Sequence, residues 1–118
     1  MPKRKERVAP PPAAGGRDLR FATHDAITGW AALCGAAPSN ARAAWERLTS
    51  DPRRRDHRQH PLKGLLGARL VNGKELGQWQ FEVTGAGRIW YCIDDGARTV
   101  WMTAASVGHP KVTESPDT

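Results

Sequence analysis

Three runs near the C-terminal end constrain this chain more than any other feature. They are "QWQFEVTG" (78–85), "GRIWYCIDD" (87–95) and "RTVWMTAAS" (98–106). In the first, Trp79, Phe81 and Val83 alternate with Gln80 and Glu82. In the second, Ile89, Tyr91 and Ile93 alternate with Trp90 and Cys92. Side chains of a strand point alternately to opposite faces, so a period of two reads as β-structure. Gly85-Ala86-Gly87 separates the first two runs, and Asp95-Gly96, a strong hairpin signal, separates the second and third. The three runs therefore predict an antiparallel meander. Both faces are partly apolar, so one must pack on a second layer and the other must be half covered or functional.

The second layer is sought upstream. "DLRFAT" (18–23) places Leu19 and Phe21 on one face of a short strand. Thr23 or Asp25 can cap a helix in which Ile27, Trp30, Ala31 and Cys34 follow helical spacing, with Gly35 and Pro38 at its end. Ser39 or Asn40 can cap a second helix reaching Thr49, with Ala41, Ala44, Trp45 and Leu48 as its apolar stripe. A loop this short makes the helices an antiparallel hairpin. The order β-α-α-β-β-β with helices on one face of a small, mainly antiparallel sheet is an α+β domain. The first strand joins the meander at its edge or its centre, and the pattern does not choose.

The remaining segments differ in character. Residues 1–16 are basic and then rich in Pro, Ala and Gly, too poor in apolar surface to fold alone, and are expected to be a disordered tail. The start is not a signal peptide, and no stretch is long enough to span a membrane. Residues 50–64 carry Arg53, Arg54, Arg55, Arg58 and Lys63, with His57 and His60 between them. Proline and charge density read as a loop, either a solvated connection or a segment whose arginine forks grip phosphates. Leu62, Leu65 and Leu66 follow, then the Asn72-Gly73 turn signal, in a stretch read as irregular or holding a short strand.

With 118 residues there is material for one domain, read as 17–112 with a flexible end over 113–118. Lys and Arg number 18 against 12 acidic residues, a formal charge of +6. Such an excess suits a polyanionic partner, or serves only solubility. Cys34 and Cys92 stand in apolar surroundings without CxxC spacing. They read as buried thiols of a reducing cytoplasm, and no metal or cofactor is expected.

The element order, together with "LKG" (62–64), "WQFEV" (79–83), "GRIWYCIDD" (87–95), "TVWMT" (99–103) and "VGHPK" (107–111), resembles the RelE/ParE superfamily of toxins from bacterial type II toxin–antitoxin systems. The likeness covers residues 18–111. It implies a small, basic, cytoplasmic toxin shielded by a cognate antitoxin. In the RelE branch that toxin cleaves messenger RNA on the ribosome; in the ParE branch it poisons DNA gyrase. A catalytically inactive nucleic-acid binder of the same fold is a further alternative.

For metal-free RNA cleavage the resemblance implies these roles. Arg88 takes the place of the strand arginine that stabilises the scissile phosphate, or else pairs with Asp94 or Asp95. His109 occupies the family's terminal His/Lys position, where an imidazole's ordinary pKa near neutrality suits proton transfer, and Lys111 would supply charge beside it. Glu82 stands where many family nucleases carry arginine, and is either a general base or the loss of a needed cation. Arg53, Arg54, Arg55, Arg58 and Lys63 would contact RNA. Pro110 replaces a frequent arginine, and the tail "VTESPDT" lacks the tyrosine several members stack on a base. Tyr91, the one tyrosine, reads as core. ParE-type members usually have longer paired helices, whereas Gly29 here is expected to break the first. The stretch 68–76 exceeds the family's usual link and is read as a lid, a partner contact or drift.

Overall fold

The computed structural model describes residues 4, 5, 8 and 16–108. The elements are β1 (Asp18–Phe21), α1 (His24–Ala36), α2 (Pro38–Ser50), β2 (Gln59–Pro61), a 3-10 turn (Gly64–Gly67), β3 (Ala68–Val71), β4 (Lys74–Glu82), β5 (Arg88–Asp94) and β6 (Thr99–Ser106). The sheet order is β1-β6-β5-β4-β2, with β3 also paired to β4. The meander β4-β5-β6 is antiparallel, and β1 joins at the edge, parallel to β6. This is the expected α+β architecture with two helices on one face of a mainly antiparallel sheet. Two short strands, β2 and β3, are added between the helices and the meander.

β2 corrects the reading of residues 50–64 as loop throughout, and β3 is the short strand expected by one of the two readings of the stretch after it. Gln59–Pro61 pairs with Phe81–Trp79, and Ala68–Val71 with Gly77–Lys74. Both are three or four residues long and depend on β4 for their hydrogen bonds. The stretch 68–76 is thus most of a hairpin turned at Asn72 (φ 52°) and Gly73 (φ 81°), the left-handed pair that a tight hairpin requires.

The helix ends follow local chemistry. Thr23 caps α1, its Oγ1 accepting from the Ala26 N–H at 3.0 Å. Instead of a side-chain cap at Ser39 or Asn40, α2 begins at Pro38, whose missing N–H costs nothing in a first turn. Asn40 Nδ2 donates to the Val83 carbonyl at 3.1 Å.

Two corrections concern α1. Gly29 does not break it: the helix runs unbroken through all 13 residues. Its buried face is Ala26, Ile27, Gly29 and Leu33, while Ala31 is exposed and Cys34 only half-buried. The helix is rotated toward glycine because Gly29 lies directly against Ala105 of β6. The expected stripe of α2 is observed, with Ala41, Ala44, Trp45 and Leu48 buried.

The main core lies between the helices and the sheet, around Leu19, Phe21, Leu33, Leu48, Ile89, Tyr91 and Met102. Val8 belongs to it as well: its carbonyl accepts from Trp45 Nε1 at 2.6 Å, and its N–H donates to the Leu19 carbonyl. At this position the expectation of a loose tail does not hold. A smaller cluster of Val71, Cys92 and Trp101, with Ala22 and Leu76, occupies the opposite face under the β3–β4 hairpin.

A bulge decides what the rest of that opposite face presents. Between β5 and β6 the partner of Trp90 is Ala104, but the partner of Tyr91 is Met102, so Thr103 is an extra residue. The bulge reverses the alternation of β6 beyond it. Ala104 and Ser106 join Trp90 and Arg88 on the face away from the core, and Ala105 turns toward α1. Thr103 Oγ1 is held by Gln78 Oε1 at 2.5 Å, and Gln78 Nε2 donates to the Leu66 carbonyl at 2.9 Å.

Candidate functional site

The bulge and the Gly29 contact together leave an open cleft of about 740 Å³ between α1 and the adjoining ends of β4, β5 and β6. Its working groups are Asp25 and Thr28 from α1, Gln80 from β4, Arg88 and Trp90 from β5, and Ser106 from β6. Trp90 is half-buried, with its indole N–H donating to Gln80 Oε1 at 2.9 Å, which fixes the ring across the cleft wall. Gly108, the last described residue, also lines the cleft. His109 and Lys111 lie outside the described residues.

Arg88 is held by the β4–β5 turn. Its Nη1 donates to the carbonyls of Thr84 (3.1 Å), Gly85 (3.2 Å) and Gly87 (3.0 Å). Its Nη2 lies 3.8 Å from Glu82 Oε1, its register partner on β4. The ion-pair partner is therefore Glu82, not Asp94 or Asp95. Those two acids belong to the other end of β5, where Asp94 takes Lys74 at 3.3 Å and Asp95 takes Arg53 and Arg17. A cation anchored through one nitrogen, with a carboxylate within 4 Å of the other, is a preorganised place for an anionic centre beside a proton acceptor.

The basic segment does not act as one patch. Arg53 makes a two-pronged pair with Asp95 (3.0 and 2.7 Å), about 20 Å along β5 from Arg88 at a strand's rise per residue. The paired guanidinium holds the Asp95 carboxyl below the ordinary aspartate range. Arg54 lies 3.4 Å from Asp56, whose carboxyl is lowered first by the Arg58 backbone N–H. Arg55 sits over the Trp79 ring at 5.7 Å. Arg58 alone reaches the Glu82 end: its Nη2 donates to the carbonyls of Glu82 (2.8 Å) and Val83 (3.2 Å). Lys63 is exposed ahead of the 3-10 turn.

Tyr91 is a core residue. Its hydroxyl donates to the Pro52 carbonyl at 2.7 Å and accepts from Gln59 Nε2 at 3.0 Å, and burial pushes its pKa well up. Burial also pushes the Cys92 thiol up to about 11 and raises that of Cys34. Neither is a ready nucleophile. Among the described residues no group of three or more His, Cys, Asp or Glu side chains is placed to hold a metal ion. No helix among them is long and apolar enough to cross a membrane.

Sequence reasoning missed Trp90 and Gln80 as site residues. The signal was present: Trp90 is a large aromatic beside Arg88 on the face of the strand opposite Ile89, Tyr91 and Ile93. An aromatic plane and an anchored arginine thus line one open cleft.

No protein-family model matches the chain, and no curated protein does. Among solved structures the chain is similar to one in the crystal structure of the toxin–antitoxin complex RelBE2 from Mycobacterium tuberculosis. The identity is 23%, the match covers 77% of this chain and 96% of that one, and the TM-score is 0.50. At that identity the likeness establishes the fold. Two helices packed on a mixed, mainly antiparallel sheet are the fold that this chain shares with that neighbour.

Proposed function

We propose that the protein is the toxin of a toxin–antitoxin pair, a RelE-like endoribonuclease that cleaves messenger RNA on the ribosome without a metal. The observation that carries this reading is the convergence of Arg88, Glu82 and Trp90 at one end of the sheet. In the proposed reaction Glu82 accepts the proton of a ribose 2′-hydroxyl, whose oxygen attacks the adjacent phosphorus. Arg88 stabilises the charge that builds on the phosphate oxygens, and Trp90 stacks a neighbouring base. The bond from phosphorus to the 5′ oxygen breaks, and His109 or Lys111 supplies the proton that this oxygen takes up. Arg58 and Lys63 extend positive charge toward the strand.

The partner in this reading is a cognate antitoxin, itself acidic and amphipathic. Leu65, fully exposed, and Leu66, half exposed, stand beside Lys63 as apolar surface for it to bury, and the neighbouring structure is likewise a toxin–antitoxin complex. The unbroken α1–α2 pair removes one ground for setting aside a gyrase-directed, ParE-like activity, so the test must separate the two. Induced expression in a bacterial host is expected to arrest growth. Arg88→Ala, Glu82→Ala and His109→Ala are each expected to relieve arrest while the purified variants keep native circular dichroism. Full arrest by all three variants would remove the catalytic assignment.

A further inference from the structure

Two basic stretches stand apart from the cleft, and the fold brings them together. The first is Arg4 and Lys5. The Lys5 N–H donates to the Phe21 carbonyl, and its own carbonyl accepts from Arg20 Nη1 at 2.8 Å, which pins this stretch beside β1. The second is Arg69 of β3, carried by the β3–β4 hairpin. Between them opens a cavity of about 650 Å³, walled by Arg4, Lys5 and Arg69 with Thr23, Leu70 and Val71. It shares no lining residue with the cleft.

The charge here is one-signed. Among the described residues the lining holds three cations and no acidic side chain. Elsewhere on the surface Arg17, Arg53, Arg54 and Lys74 each face a carboxylate within 4 Å, whereas among the described residues none pairs with Arg4, Lys5 or Arg69. Like charges gathered around one cavity repel, and a multiply charged anion relieves that cost. The N-terminus of α1, capped by Thr23, adds its partial positive charge on the same side. The volume exceeds that of a bare oxyanion, and Leu70 and Val71 offer an apolar wall to whatever carries the charge.

We propose that this cavity is a second anion site that takes a phosphate-bearing ligand. The phosphate sits among Arg4, Lys5 and Arg69, and the group esterified to it lies against Leu70 and Val71. A phosphate ester carries up to two charges where a carboxylate carries one, which better fits three cations that no described carboxylate pairs with. A free phosphorylated compound and the backbone phosphate of an RNA strand present the same chemistry.

The test is direct binding by the purified full-length chain, with no readout from the cleft. Calorimetry with pyrophosphate probes the free source, and fluorescence anisotropy with a labelled single-stranded oligoribonucleotide probes the strand. Arg69→Glu and the triple variant Arg4→Ala/Lys5→Ala/Arg69→Ala are expected to lose at least tenfold in affinity with unchanged melting temperature. Arg42→Ala, which removes a positive charge from α2 outside both cavities, is expected to leave pyrophosphate binding intact, so that loss of net charge alone does not account for the effect. Saturable pyrophosphate binding lost in the variants identifies a free phosphorylated ligand. RNA binding alone, with a salt slope shallower by about 2 in the triple variant, identifies strand phosphates. Equal affinities for native and triple variant, or no binding of either probe by the native chain, would overturn the proposal.

Discussion

Gly29 of α1 and Ala105 of β6 meet backbone against backbone. A β-carbon at position 29 would stand 1.7 Å from the Ala105 carbonyl oxygen and 2.4 Å from its carbonyl carbon. Neither atom ends a flexible side chain that could swing away. The contact fixes how far α1 stands from the β6 wall of the cleft, and it explains a poor helix former at the centre of a helix.

Gly29→Ala must therefore push α1 off β6. The expected loss is at least about 2 kcal/mol, read from urea unfolding. At Gly35, in the last turn of the same helix, a β-carbon would meet nothing within 4 Å. Gly35→Ala should be neutral or stabilising by up to about 1 kcal/mol. If both substitutions behave alike, the contact does not set the helix position.

Tyr91 separates a structural from a catalytic tyrosine. Tyr91→Phe leaves the Pro52 carbonyl and the Gln59 amide short of a buried partner and should cost about 1–3 kcal/mol. Activity per folded molecule should be unchanged. A variant with native stability and lost activity would place this hydroxyl in the chemistry.

Trp90 should matter through its ring. Trp90→Ala is expected to weaken binding of a short single-stranded oligoribonucleotide at low salt by about 1–3 kcal/mol, with Trp90→Phe retaining most of the affinity. Equal losses in both variants would point to the Gln80 hydrogen bond rather than to stacking.

The Arg53–Asp95 pair gives a pH signature. The folded Asp95 carboxyl titrates below its unfolded value because Arg53, then Arg17, favour its charged form. Its contribution is thus present above the unfolded value, near pH 4, and is lost as pH falls through the folded value. In thermal melts Asp95→Asn should lie below the native protein at neutral pH, and the gap should close progressively below about pH 4. A gap constant from pH 7 to pH 3 would show that the pair is not held in solution.

The meander, the Thr23 cap and the stripe of α2 were legible because each is written in local spacing. What was not legible depends on partners distant in sequence. Gln59–Pro61 is a strand only because β4 supplies its hydrogen bonds, whereas Ala68–Val71 is paired locally across the Asn72-Gly73 turn. The Thr103 bulge, invisible in composition, turns Ala104 and Ser106 outward and so completes the cleft. Gly29 read as a helix breaker because the strand it touches lies 76 positions away. Among candidate site residues, the resemblance named Arg88 and Glu82, which stand 3.8 Å apart as register partners on β5 and β4. Arg53 was grouped with them by sequence proximity to Arg58, yet Asp95 holds it at the far end of β5.

The most direct measurement is a map of new messenger 5′ ends after induction of the native chain and of Arg88→Ala. Cuts inside translated reading frames, present only with the native chain and lost when ribosomes are kept off the message, are the predicted result. Growth arrest with intact messages and an induced DNA-damage response would contradict it and assign the protein to gyrase.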